Sequence, residues 1–131
     1  ERAGFIQSLG LRRYLSAMQY AALVAGNSSS GVVETPTFGV PAVNIGQRQA
    51  GRLLCANVLC CPADAPAIEE ALRTALTPAF AARARTARSP YNGGDTSGKI
   101  CRVLRRFDFA CCKTFYDGPV PEFDPQRSVF E

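Results

Sequence analysis

The sequence predicts an α/β fold, a short parallel sheet with helices packed against it. Three observations carry this. Short apolar pieces bounded by Gly or Pro recur as "ALVAG" (22–26), "PAVNIG" (41–46) and "ANVLCC" (56–61). The last two have the look of strands buried on both faces. Apolar residues at helical spacing lie between and around these pieces. Polar turns, "GNSSSG" at 26–31 and "GQRQAG" at 46–51, follow the first two strands directly.

Each element has its own reason. Leu11, Tyr14, Leu15 and Met18 stand at i, i+3, i+4 and i+7, one helix face that Ser8 or Gly10 can start. After the first strand and the serine turn, a brief helix is expected from about Gly31 to Phe38. Pro36 limits it, Gly39 ends it and Pro41 forbids continuation. Asp64 can cap the next helix, where Ile68, Ala71, Leu72, Ala75 and Leu76 form an apolar stripe. Thr77-Pro78 restarts a helix with proline at its tolerated first position. "SPYNGG" (89–94) is a loop by composition, and a last helix capped near Asp95–Ser97 is expected to bury Ile100, Val103, Leu104 and Phe107. From Gly118 the segment "GPVPEFDPQRSVFE" is aperiodic and proline-rich, so residues 118–131 are expected to be a loose tail on a domain spanning 1–117. Three strands are fewer than the five or six of a complete doubly wound domain. The expected architecture is therefore the second half of such a domain, with the opening strands missing.

Composition narrows the classes of function. The 131 residues are 47% apolar, enough for a packed core, and the formal charge is +4. No block of Lys/Arg occurs and basic residues do not interleave with aromatics, which argues against a nucleic-acid partner. No apolar run approaches bilayer length and no signal peptide is visible, so no membrane association and a cytoplasmic location are expected. Six cysteines stand at 55, 60, 61, 101, 111 and 112, without a CxxC spacing and without histidine. Buried free thiols in a reducing compartment are expected, with no metal and no cofactor.

The serine turn raises the functional question. In an open parallel sheet, ligands bind outside the carboxyl ends of the strands. There, Ser28, Ser29, Ser30 and Gly31 open a helix whose first N–H groups lack partners, an arrangement suited to phosphate. Glu34, one turn on, leans back toward that end. A carboxylate is repelled by phosphate but accepts from a pair of hydroxyls, as ribose offers. Phosphates on the turn and ribose on Glu34 describe a nucleoside diphosphate. The same residues would also serve simply as a cap and a dipole complement. In "GQRQAGR" (46–52), Arg48 and Arg52 leave the same sheet edge and can clamp a phosphate in planar fashion, or stand as solvated surface.

The run "GNSSSGVVETPTFGVPAVNIGQRQAGR" (26–52) closely resembles the nucleotide-binding segment of the UDP-N-acetylglucosamine 2-epimerases, above all the hydrolysing branch used in sialic-acid-type sugar synthesis. "SLGLRRYLSAMQYA", "SPYNGGDTSGKI" and "KTFYDG" extend the resemblance over about residues 5–118. It implies a Rossmann-like second domain of a glycosyltransferase-B arrangement, with substrate in the cleft between two domains. It also implies elimination of UDP from UDP-N-acetylglucosamine, followed by water addition to give N-acetylmannosamine. By matching, Ser28 and Ser29 hold the diphosphate, Ser30 and Gly31 complete the turn, Glu34 takes the ribose hydroxyls and Arg48 the phosphate side. The loop that the family writes like Pro-Tyr-Gly-Asp-Gly reads "PYNGGD". The family's acid/base carboxylates and its functional histidine precede the matched region. The chain is thus expected to be a UDP-binding fragment with no catalytic residue, lacking an N-terminal domain, from a protein that forms a possible homodimer. Two rivals stand beside this reading: a nucleotide-sugar module without turnover, and half of a glycosyltransferase-B-type transferase.

Overall fold

A computed structural model describes residues 3–107 and Gly118. The expected tail, the boundary at 117, and Cys111 and Cys112 lie outside the described residues, Gly118 apart. The chain divides into two compact units, Glu1–Gly94 and Asp95–Glu131.

In the first unit the elements are α1 (Gly10–Gln19), β1 (Val24–Gly26), α2 (Ser30–Val33), α3 (Thr35–Phe38), β2 (Ala42–Ile45), β3 (Val58–Cys61), α4 (Ala65–Ala75) and α5 (Pro78–Thr86). The three strands form one parallel sheet in the order β1-β2-β3. A short parallel sheet flanked by helices is the expected partial Rossmann-like α/β domain.

Side-chain alternation along β2 builds the layers. Ala42 packs with Val32 of α2 and Val58, while Val43 packs with Cys61, Ala71, Ala75 and Phe80. Successive residues of β2 thus face helices on opposite sides of the sheet. The small Ala71 and Ala75 let α4 lie close to the strands, and Ile68 and Leu72 complete its stripe. Leu76, the last residue expected in that stripe, is exposed because it is the C-cap, where the helix face has ended. Asp64 caps α4 as the sequence predicts, accepting from the Ala67 N–H at 3.0 Å; α5 starts at Thr77-Pro78 as expected, and Thr77 Oγ1 also caps it, accepting from the Phe80 N–H at 3.3 Å.

Four further expectations for this unit need correction. The helix over 31–38 is two four-residue pieces that meet at Glu34, and Pro36 sits in the first turn of the second instead of limiting the first. Its missing N–H is an unpaired group at that position in any case. β3 is not buried on both faces: as a sheet edge it leaves Cys60 exposed. The thiols accordingly divide, with Cys55 and Cys61 buried and Cys60 and Cys101 exposed. At the start of the chain, Leu11 is exposed and Met18 is the buried residue of α1, since only its C-terminal end reaches the core.

In the second unit, α6 (Thr96–Arg106) begins where expected, with the Asp95 carboxylate accepting from Gly98 N–H at 3.0 Å. Ile100, Val103, Leu104 and Phe107 are about half exposed, not buried. The described part of that unit is a single helix, which provides no second layer of its own.

Two glycine and asparagine positions brace the first unit. Gly39 caps α3 with φ +64, and a Cβ there would meet the Arg85 Cα at 3.0 Å. Asn57, wholly buried, donates to the Val40 carbonyl at 2.7 Å and to Thr35 Oγ1 at 2.9 Å, tying the turn before β3 to α3.

Candidate functional site

Gly26 at the end of β1 pairs in parallel with Asn44 near the end of β2. The serine turn and the 46–52 loop therefore leave the sheet at the same edge. Within the turn, Ser28 Oγ accepts from Ser30 N–H at 3.3 Å, and the Ser28 carbonyl accepts from Gly31 N–H at 3.3 Å. Ser29, the residue before α2, makes no side-chain cap. Among the described residues, the N–H groups of Ser28 and Ser29 and the hydroxyls of Ser29 and Ser30 carry no hydrogen bond. A four-residue helix sums few peptide dipoles, so it contributes less field than a helix over 31–38 would. The donors available to an anion are those of the turn itself, and Ser30 and Gly31 N–H are already committed.

Glu34 is the hinge between α2 and α3, with its N–H on the Ser30 carbonyl at 3.1 Å. Its Oε2 is shut off from solvent and has no hydrogen-bond partner among the described residues. Glu34 lines a cavity of about 380 Å³ together with Leu15, Phe38, Ser89, Tyr91 and Asn92. The "SPYNGG" loop is held at this cavity by Tyr91 Oη, which donates to the Leu53 carbonyl at 2.9 Å. None of Ser28, Ser29, Ser30 and Arg48 lines it.

Arg48 is exposed and makes no ion pair or hydrogen bond among the described residues. Arg52 lines a second cavity, of about 370 Å³, with Asn44, Gln49, Cys60 and Cys61 among its walls. Asn44 Nδ2 donates to Cys60 Sγ at 3.6 Å across the β2–β3 pair. Burial pushes the Cys61 thiol up from its ordinary value, with the Asp64 carboxylate and then Cys60 adding to the shift. Among the described residues no group of His, Cys, Asp and Glu could hold a metal ion, and no helix is long and apolar enough to cross a membrane.

Sequence reasoning missed one residue of this edge. Gln49 is 5% exposed, between two exposed neighbours, and its Nε2 donates to the Asn27 carbonyl at 2.8 Å. Its signal is its place in the same motif as Arg48 and Arg52. Thus the structure brings Ser28–Gly31 and the 46–52 loop together, and sets Glu34 one turn away in the wall of a separate cavity.

Fold and edge define the class: part of a Rossmann-like α/β domain, with two polar loops side by side at the carboxyl end of a parallel sheet. Comparison with known proteins defines the family. Residues 1–105 match the model of the family described as UDP-N-acetylglucosamine 2-epimerase, and the chain belongs to it. Among similar proteins is a Campylobacter jejuni GDP/UDP-N,N'-diacetylbacillosamine 2-epimerase (hydrolyzing), 47% identical over 58 residues, which are 44% of this chain and 15% of that protein. The Escherichia coli polysialic acid biosynthesis protein P7 is 30% identical over 121 residues, 88% of this chain and 30% of the relative. A Neisseria meningitidis UDP-N-acetylglucosamine 2-epimerase is 29% identical over 89 residues, 68% of this chain and 22% of the relative. The chain spans 15% to 30% of the length of these relatives.

Proposed function

We propose that this sheet edge binds the UDP moiety of UDP-N-acetylglucosamine. The whole protein would act as a hydrolysing 2-epimerase that releases UDP and N-acetylmannosamine. The free donors of Ser28, Ser29 and Ser30 take the diphosphate, Gly31 lets it approach, Arg48 neutralises it from the neighbouring loop, and Glu34 accepts from the ribose hydroxyls. The observation that carries this reading is the Glu34 carboxylate, whose Oε2 is buried without a donor. A buried acceptor left without a partner costs about 1–3 kcal/mol. A vicinal diol is the complementary partner, and the family to which the chain belongs is named for a UDP-sugar. Elimination needs acid/base groups, which a further domain meeting this edge across a cleft would supply. A nucleotide-sugar partner of the diacetylbacillosamine type, as named for the Campylobacter relative, would use the same diphosphate and ribose contacts.

Calorimetric titration of Glu34→Ala and Arg48→Ala with UDP and with inorganic diphosphate tests the assignment. Glu34→Ala is expected to weaken UDP and spare diphosphate, and Arg48→Ala to weaken both. Equal losses for the two ligands in Glu34→Ala would contradict the ribose role.

A further inference from the structure

Gln49 is a loop glutamine that the fold has taken almost wholly out of solvent, although Arg48 before it and Ala50 after it are exposed. Glutamine is mostly an exposed residue, so such burial calls for a cause. The cause is the 2.8 Å bond from Nε2 to the Asn27 carbonyl, which joins segments 22 residues apart. Reversing the amide would set Oε1 against that carbonyl, so the donor orientation is fixed.

The Asn27 carbonyl and the Ser28 N–H belong to one peptide plane. No peptide bond of the described residues is cis, so these two groups point in opposite directions. A side chain that holds the carbonyl on one side therefore aims the Ser28 N–H to the other. That N–H is one of the turn's unpaired donors. The same bond anchors the loop at the residue immediately after Arg48. We propose that Gln49 is a positioning residue that locks the serine turn and the Arg48 loop into one anion-binding rim. The proposal rests on the UDP reading for the identity of the anion, and on the Gln49–Asn27 bond for the lock itself.

Two variants of the full chain test it. Gln49→Met keeps length and removes the donor. Gln49→Glu restores a donor only while its carboxyl is protonated, a form that burial favours. For Gln49→Met the expected result is about a tenfold loss of affinity for UDP and for inorganic diphosphate, the scale of one lost hydrogen bond to a charged system. Affinity for uridine, which lacks the phosphates, should stay within twofold. Amide-exchange protection of Ser30 and Gly31 should fall about fivefold, and in Gln49→Glu it should recover at acidic pH and fall again as pH rises. Unchanged diphosphate affinity, or an equal loss for uridine, overturns the positioning role. If the parent chain binds neither UDP nor diphosphate, the UDP reading fails, and the exchange data decide the lock alone. Protection lost in Gln49→Met and regained in acidic Gln49→Glu upholds it, and protection unchanged in Gln49→Met overturns it.

Discussion

Removing the Asn57 amide is expected to unfasten the Glu34 segment from the sheet. Asn57→Ala deletes two donations inside a fully buried site, at 2.7 Å to the Val40 carbonyl and 2.9 Å to Thr35 Oγ1. The two losses are unequal. Thr35 keeps its own donation to the Gly31 carbonyl at 2.8 Å, so its hydroxyl is not orphaned. The Val40 carbonyl loses its side-chain partner in a residue that is 4% exposed. Leaving a buried carbonyl unpaired costs about 1–3 kcal/mol, and the second bond contributes about 1 kcal/mol net. Removing Asn57 Oδ1, itself buried without a partner among the described residues, returns part of this, so the expected destabilisation is about 1–3 kcal/mol, a shift of roughly 0.5–1.5 M in the urea midpoint for a domain of this size. Asn57→Asp should cost more at neutral pH, because it buries a charge against the same carbonyl. Urea unfolding of the full chain followed by circular dichroism measures both. A loss under about 0.5 kcal/mol for Asn57→Ala, the level of an ordinary surface substitution, would refute the clamp.

Gly39→Ala forces a side chain into left-handed backbone and against the Arg85 Cα at 3.0 Å, so it should destabilise by about 2–3 kcal/mol in the same assay. Cys60, exposed on the edge strand, should be alkylated well before Cys61, and peptide mapping after a short iodoacetamide pulse would show the order. The Cys61 thiol has its pKa raised in the folded state, so its contribution to stability is complete below the ordinary thiol range and is lost as pH rises through the raised value. Cys61→Ser should flatten that alkaline decline, and an unchanged decline would place its source elsewhere. Ser28→Asp together with Ser29→Asp sets two carboxylates at the free donors and should abolish UDP binding in a calorimetric titration.

Much of the fold was legible because it obeys local rules. Gly- and Pro-bounded apolar runs gave the three strands, and Asp64, Thr77 and Asp95 each cap the helix they precede. Gly39 ends its helix in the left-handed region that only glycine enters freely. What escaped was set by tertiary contacts. The break at Glu34 has no marker in the residues themselves, since Pro36 can close one helix or open the next. Gln49 reads as a turn residue and Asn57 as the start of a strand, yet both side chains are buried as amide donors, because carbonyls brought near by the fold give them partners. The apolar face of α6 was legible as a stripe, but a stripe does not say what covers it. At the candidate site, the motif pointed to the serines, Glu34 and the two arginines, while the residue that joins the loops carries no charge and stood between them.

Whether UDP occupies the carboxyl edge of this sheet can be read from a nuclear magnetic resonance titration of the isotopically labelled full chain. With contacts from one side of a cleft only, the affinity should be around millimolar, about 4 kcal/mol. Saturable amide shifts are expected at Ser28, Ser29, Gly31, Glu34 and Arg48, with the Glu34 shift absent when inorganic diphosphate replaces UDP. Shifts that saturate elsewhere on the chain, or no shift at these residues at several millimolar UDP, would contradict it.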